Sequence, residues 1–207
     1  MTKPIIKVCG IKDPETAASA IALGVDMVGV MLDPTSRRVI DMPTAKKVSA
    51  AVKKAGGQAI ALTGKRNAEQ ILALTQELGL QWVQLIGAEA HQAGKDLPVG
   101  IKRMYVIAVD ASKSLEDSIA ALPGYDKSRD YVLFDTHNPG HGEAFDHDGF
   151  TAPQAPFFVA GGLNPDNIAA VVERFKPDGV DVSTGVEKSL GVKDLEKIEL
   201  FVERARA

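Results

Sequence analysis

The sequence predicts a parallel α/β barrel of eight strands. Eight short apolar runs recur along the chain, most of them separated by amphipathic stretches with helical start and stop signals. Most runs are continuous rather than alternating, as expected of strands buried on both faces of a parallel sheet. The turn after the first run, "KVCGIKDPE", holds a single glycine. The rival doubly wound open sheet normally carries a glycine fingerprint there, and it is missing.

The strand candidates are, in order, 5–8 "IIKV", 27–32 "MVGVML", 58–62 "QAIAL" and 81–86 "QWVQLI", then 99–107 "VGIKRMYVI", 131–135 "YVLFD", 157–161 "FFVAG" and 179–183 "GVDVS". The first helix, 13–24, opens on Asp13 as N-cap with Pro14 at its first position and stops at Gly24. Segments 42–57 and 67–79 repeat that grammar, and 111–124 is helical too. Asn164 and Pro165 open the helix of 164–175, and 192–207 reads as the last one. Only 88–96 and 136–155 are poor in helical signal. No linker or low-complexity tract interrupts the chain, and 1–207 reads as one domain.

Composition narrows the class of partner. Against 24 Lys and Arg stand 27 Asp and Glu, a net charge of −3, which gives no footprint for nucleic acid or anionic lipid. The hydrophobic share of 45% is that of a globular chain able to bury a core without metal or disulfide. The single cysteine cannot form an internal disulfide and suits a reducing compartment. The start "MTKPIIKVCG" lacks the apolar run of a signal peptide, and no stretch is long enough to span a bilayer. A cytoplasmic protein acting on a small molecule is the expectation.

In a parallel barrel the ligand site forms where the strands end, from the loops that lead into the helices. At those exits stand Cys9, the pair Arg37 and Arg38, Asp135, "AGGLNPDN" and "STGVEKSLG". Gly161 and Gly162 allow backbone N–H groups to approach a ligand, and Asn164-Pro165 begins a helix behind them. Ser183, Thr184 and Gly185 follow the last strand in the same way. Together these two loops read as a phosphate cradle, the alternative being plain tight turns. Either arginine could hold a carboxylate or phosphate by its fork, or be a solvated loop charge. Asp135 ends an apolar run, where desolvation would raise its pKa for general acid work; it could equally cap a turn. Cys9 is either a small buried hydrophobe or, opposite an aspartate, a base or nucleophile. His137, His141 and His147, with Glu143, Asp146 and Asp148, could suit zinc, but Pro139, Gly140 and Gly142 preclude a helix presenting the pair. A polar loop, mobile without ligand over 136–149, is the reading preferred to a metal site.

With these motifs assembled, the chain resembles the phosphoribosylanthranilate isomerase family of tryptophan biosynthesis from the first strand to the final helix. "KVCGI" is similar to the family's K-[IV]-C-G-I block, "SRRVI" to its S-x-R-x-[IV] loop, and "GVDVSTGVE" to its G-V-D-[VL]-S-[ST]-G-V-E block. The resemblance implies a (βα)8 barrel converting N-(5-phosphoribosyl)anthranilate to the 1-deoxyribulose form by an Amadori rearrangement, without a cofactor. It aligns Arg38, not Arg37, with the ligand-contacting arginine. It implies that Asp135 protonates the ring oxygen, and that Cys9, as thiolate, removes the proton beside the imine. Cations or dipoles near Cys9 would depress its pKa. Three segments depart from the pattern. Ile86 stands where the family has histidine, and Glu143 and His147 replace its lysine and tryptophan. "ALTGKRNAEQ" differs from its F-V-N segment. The competing readings are an aminoaldose isomerase of the histidine-pathway type, which would favour two aspartates, and a noncatalytic phosphate-binding barrel. Monomer and homodimer are both compatible with the sequence.

Overall fold

A computed structural model describes residues 3–109, 114–135 and 150–207. Its eight strands run in parallel and close into a barrel in chain order. They are β1 (Ile5–Cys9), β2 (Met27–Met31), β3 (Gln58–Thr63), β4 (Trp82–Ile86), β5 (Lys102–Ala108), β6 (Tyr131–Asp135), β7 (Phe157–Val159) and β8 (Gly179–Val182). The ring closes where β1 pairs with β8, Ile5 opposite Gly179 and Lys7 opposite Asp181. Closure excludes the doubly wound sheet. The expectations for 136–149, including the histidine cluster and its mobility, lie outside the described residues.

Strand alternation divides the buried side chains into two layers. Ile6 and Val8 pack outward with Ala17 and Ala20 of helix α1 (Pro14–Ala22). Cys9, Met27, Ile60, Leu62, Trp82, Met104, Leu133 and Phe158 fill the barrel interior. Continuous apolar runs follow from this, because both faces are buried. Lys7 and Asp181 break the pattern, an ion pair of 2.7 Å inside the barrel, with Lys7 fully buried.

The helix starts follow from their caps. Asp13 accepts from Thr16 N at 2.8 Å, Asp41 from Thr44 N at 2.9 Å at the head of α2 (Met42–Lys54). Asn67 and Gln70 form a reciprocal capping box on α3 (Ala68–Leu78). Three elements differ from expectation. A helix, α4 (Ala88–Gly94), occupies the stretch read as poor in helical signal. Its alanines Ala90 and Ala93 pack against β4 and β5, so tertiary burial supplies what local periodicity lacked. After α5 (Leu115–Ala120), the helix α6 (Ile168–Phe175) begins four residues later than Asn164. Asn164 spends its side chain on a turn, its Oδ1 accepting from Asp166 N at 2.8 Å. Beyond β8 a short antiparallel hairpin, β9 (Glu187–Ser189) and β10 (Val192–Lys193), precedes α7 (Leu195–Ala205). No described helix is long and apolar enough to cross a membrane.

Candidate active site

A pocket opens at the C-terminal end of the barrel, and eight of the nine expected site residues line it. They are Cys9, Arg38, Asp135, Gly161, Gly162, Ser183, Thr184 and Gly185. Asn164, the ninth, is not part of the lining. It ties the β7–α6 loop from behind: its Nδ2 donates to Gly162 O at 3.3 Å, and its N–H donates to Asn167 Oδ1 at 2.9 Å.

Gly161 and Gly162 take φ of 87° and 62°, left-handed backbone that other residues rarely adopt. The two glycine loops meet closely. A Cβ at Gly185 would lie 1.9 Å from Leu163 O and 2.9 Å from Asn164 Cβ. Gly185→Ala should therefore push the loops apart and weaken inorganic phosphate binding at least about tenfold. Titration calorimetry checks this, and unchanged affinity would separate Gly185 from any phosphate cradle.

The β2–α2 loop settles which arginine faces inward. Arg38 is 6% exposed, and Arg37 is turned to solvent. Arg38 Nε and Nη2 donate to the two oxygens of Glu187 at 2.7 and 2.9 Å, a bidentate fork, and Nη2 also donates to Thr184 Oγ1 at 3.1 Å. Glu187 accepts in addition from Lys193 Nζ at 3.0 Å. Burial would push the Glu187 carboxyl up, but Arg38 and Lys193 more than offset that and hold it at about 2. Lys193 Nζ donates onward to Ser183 O at 2.9 Å and Oγ at 3.1 Å, and Ser183 Oγ donates to Cys9 O at 3.1 Å. The hairpin β9–β10 thus fastens Arg38 to β8 and β1.

Cys9 ends β1 and is 8% exposed. Burial pushes its thiol above the ordinary range, while Lys7, Lys193 and Arg38 pull it back only in part. The sequence reading expected a depressed value; desolvation outweighs the cations here. Beneath it, burial pushes the Lys7 ammonium down, but Asp181 and Cys9 outweigh this and raise it. Burial also pushes the Asp181 carboxyl up, against the pull of Lys7. Asp135 stands at the end of β6, half-buried, its carbonyl accepting from Val109 N at 3.0 Å. Ile86 lines the pocket from β4. Among the described residues, no cluster of three His, Cys, Asp or Glu side chains is placed to hold a metal.

Sequence reasoning missed Lys7, Asp181, Glu187 and Lys193. For the first two a signal existed, charged residues inside the apolar runs "IIKV" and "GVDVS". For Glu187 the signal was its place at the end of the block "GVDVSTGVE", but nothing local showed its role, since Arg38, its partner, lies 149 residues away.

A rim carrying a thiol, a carboxylate, a clamped arginine and two glycine loops invites comparison with known proteins. Residues 6–204 match the family model for N-(5'-phosphoribosyl)anthranilate isomerase. The chain belongs to the phosphoribosylanthranilate isomerase family. An isomerase of that name from Afipia carboxidovorans is 35% identical over 214 residues, covering 98% of this chain and 89% of the relative. One from Streptococcus pneumoniae is 35% identical over 211 residues, covering 100% and 96%. Among solved structures, the phosphoribosylanthranilate isomerase of Thermus thermophilus superposes with a TM-score of 0.84 at 28% identity, over 97% of each chain. Another isomerase, solved with reduced 1-(o-carboxyphenylamino)-1-deoxyribulose 5-phosphate, shares the fold with a TM-score of 0.76 at 24% identity, over 98% of each chain.

Proposed function

We propose that this chain isomerises N-(5'-phosphoribosyl)anthranilate to 1-(2-carboxyphenylamino)-1-deoxyribulose 5-phosphate, a step of tryptophan biosynthesis. The observation that supports it most is the gathering of Cys9, Asp135, Arg38 and both glycine loops on one pocket. The substrate has an anion at each end. Its phosphate fits the backbone N–H groups around Gly161, Gly162 and Gly185, and its carboxylate fits Arg38. The sugar then lies between, within reach of an acid and a base.

In this reading Asp135 gives its proton to the furanose oxygen as the C1'–O4' bond breaks, and the nitrogen lone pair forms the C1'=N bond. Cys9, as thiolate, removes the C2' proton, and the electron pair moves through C2'=C1' to the nitrogen. The resulting enolamine becomes the aminoketone by tautomerisation, so the reaction is a net isomerisation. Glu187 keeps Arg38 in place through two hydrogen bonds, so the anion partner is fixed before substrate arrives. Residues 1–207 act as one domain, in the cytoplasm, as monomer or homodimer. A histidine-pathway type of activity is disfavoured because a cysteine holds the first-strand position.

The test uses the fluorescence of the anthranilate ring. Phosphoribosylanthranilate generated in situ should be consumed by the purified protein, and the signal should decay far faster than without it. No turnover, with the reduced product analogue still bound, would make the barrel a noncatalytic binder. Neither turnover nor binding would point to a different phosphosugar.

A further inference from the structure

Lys7 is a charged residue with no exposed surface, set inside the barrel. Its ammonium donates to Asp181 Oδ2 at 2.7 Å across the seam where β1 pairs with β8. An ammonium has three donors, and among the described residues Asp181 is the one acceptor that this one meets. Cys9 follows two residues later on β1, so strand alternation puts both side chains on the interior face. An ion pair sealed in an apolar interior is costly to bury, and apolar residues of similar volume would stabilise the barrel as well or better. Yet the pair sits immediately before the one thiol of the chain. Packing alone does not account for that placement.

We propose that Lys7 is a positioning residue for the chemistry, its ammonium serving as the buried counter-charge of the Cys9 thiolate. This rests on the reading of Cys9 as the base given under the proposed function. The charges that act on the thiol come from several elements. Lys7 on β1 pulls hardest toward the thiolate, Lys193 on β10 and Arg38 after β2 pull less, and Asp181 on β8 pushes the other way. Asp135 on β6 acts on Lys7 as a further anion. Arg38 and Lys193 both bond Glu187, which offsets part of their charge. Lys7 keeps two donors beyond the one given to Asp181. When Cys9 loses its proton, the charge on sulfur appears on the same strand face as a cation already fixed in place. Such stabilisation is set up before reaction and costs no rearrangement. Burial still holds the thiol of the resting protein above its ordinary range, and without Lys7 it would lie higher again.

The chain has a single cysteine, so the ultraviolet absorbance of the thiolate reports Cys9 alone once the titration of the matching Cys9→Ser protein is subtracted. Lys7→Met is the direct variant. Because it strands the buried Asp181 carboxylate, Lys7→Met/Asp181→Asn is the companion, with neither charge left unpaired. Both should form thiolate at higher pH than wild type, Lys7→Met by about one unit or more. The alkaline rise of kcat/KM should be displaced by the same interval, a loss of about tenfold at a fixed pH below it. Inorganic phosphate should bind both variants as tightly as wild type by calorimetry, which shows the fold and the phosphate loops intact. A lysine that only supports packing would leave the titration where it is. A phosphate-binding variant of either kind with the wild-type thiol midpoint would therefore overturn the proposal. A displaced midpoint beside an undisplaced kcat/KM profile would instead overturn the reading of Cys9 as the base, while the hold of Lys7 on the thiol would stand.

Discussion

Asp135→Asn is expected to lower kcat by roughly 10²- to 10⁴-fold, with KM and the melting temperature close to wild type. Asparagine keeps the size of aspartate but has no acidic proton to give the ring oxygen. The main chain at this position is held by the barrel, with Asp135 O accepting from Val109 N at 3.0 Å, so the strand end should not move. Steady-state kinetics with calorimetric binding of the product analogue separate the two effects. A kcat within tenfold of wild type would remove Asp135 from the chemistry.

Cys9→Ser is the second large effect, again a loss of roughly 10²- to 10⁴-fold in kcat, because a serine hydroxyl is a far weaker acid and supplies no base. The wild-type pH profile carries the sharper signature. Burial is the largest influence on the thiol and holds it above its ordinary range, and a base works only when deprotonated. The sign is therefore fixed: kcat/KM should rise with pH and continue rising beyond the ordinary thiol pKa. Cys9→Ser should flatten that alkaline rise. A kcat/KM profile already level at neutral pH would mean that another group is the base, whereas a level kcat beside a rising kcat/KM would mean that substrate binding restores the thiolate. Measuring kcat and kcat/KM separately distinguishes these, since kcat/KM reports the free enzyme.

Most of the barrel was legible because a parallel barrel writes its strands as continuous apolar runs and its helices with explicit caps. Asp13 with Pro14 and Asn67 with Gln70 are such marks, and each acts locally. Helix α4 was not legible: seven residues are too few to display a period, and packing of Ala90 and Ala93 on the barrel stabilises it. The hairpin β9–β10 was missed for a related reason, its strands being three and two residues long.

The rim residues were legible from position, since strand ends define the site in this architecture. Their mutual support was not. The resemblance singled out Arg38 over Arg37, but what holds it, its fork to Glu187, is a pairing that only the closed barrel creates. Asn164 carried the opposite lesson, a polar residue in the right loop whose bonds all serve the turn itself. Cys9 was found as a thiol at a strand end, but its raised pKa depends on burial that the sequence does not display.

The most direct measurement is a crystal structure of this chain with reduced 1-(o-carboxyphenylamino)-1-deoxyribulose 5-phosphate. The phosphate should sit on the backbone N–H groups of the loops holding Gly161, Gly162 and Gly185. The carboxylate should meet Arg38, and the sugar chain should pass between Cys9 and Asp135. A ligand bound in the reverse direction, or away from Cys9 and Asp135, would contradict the account.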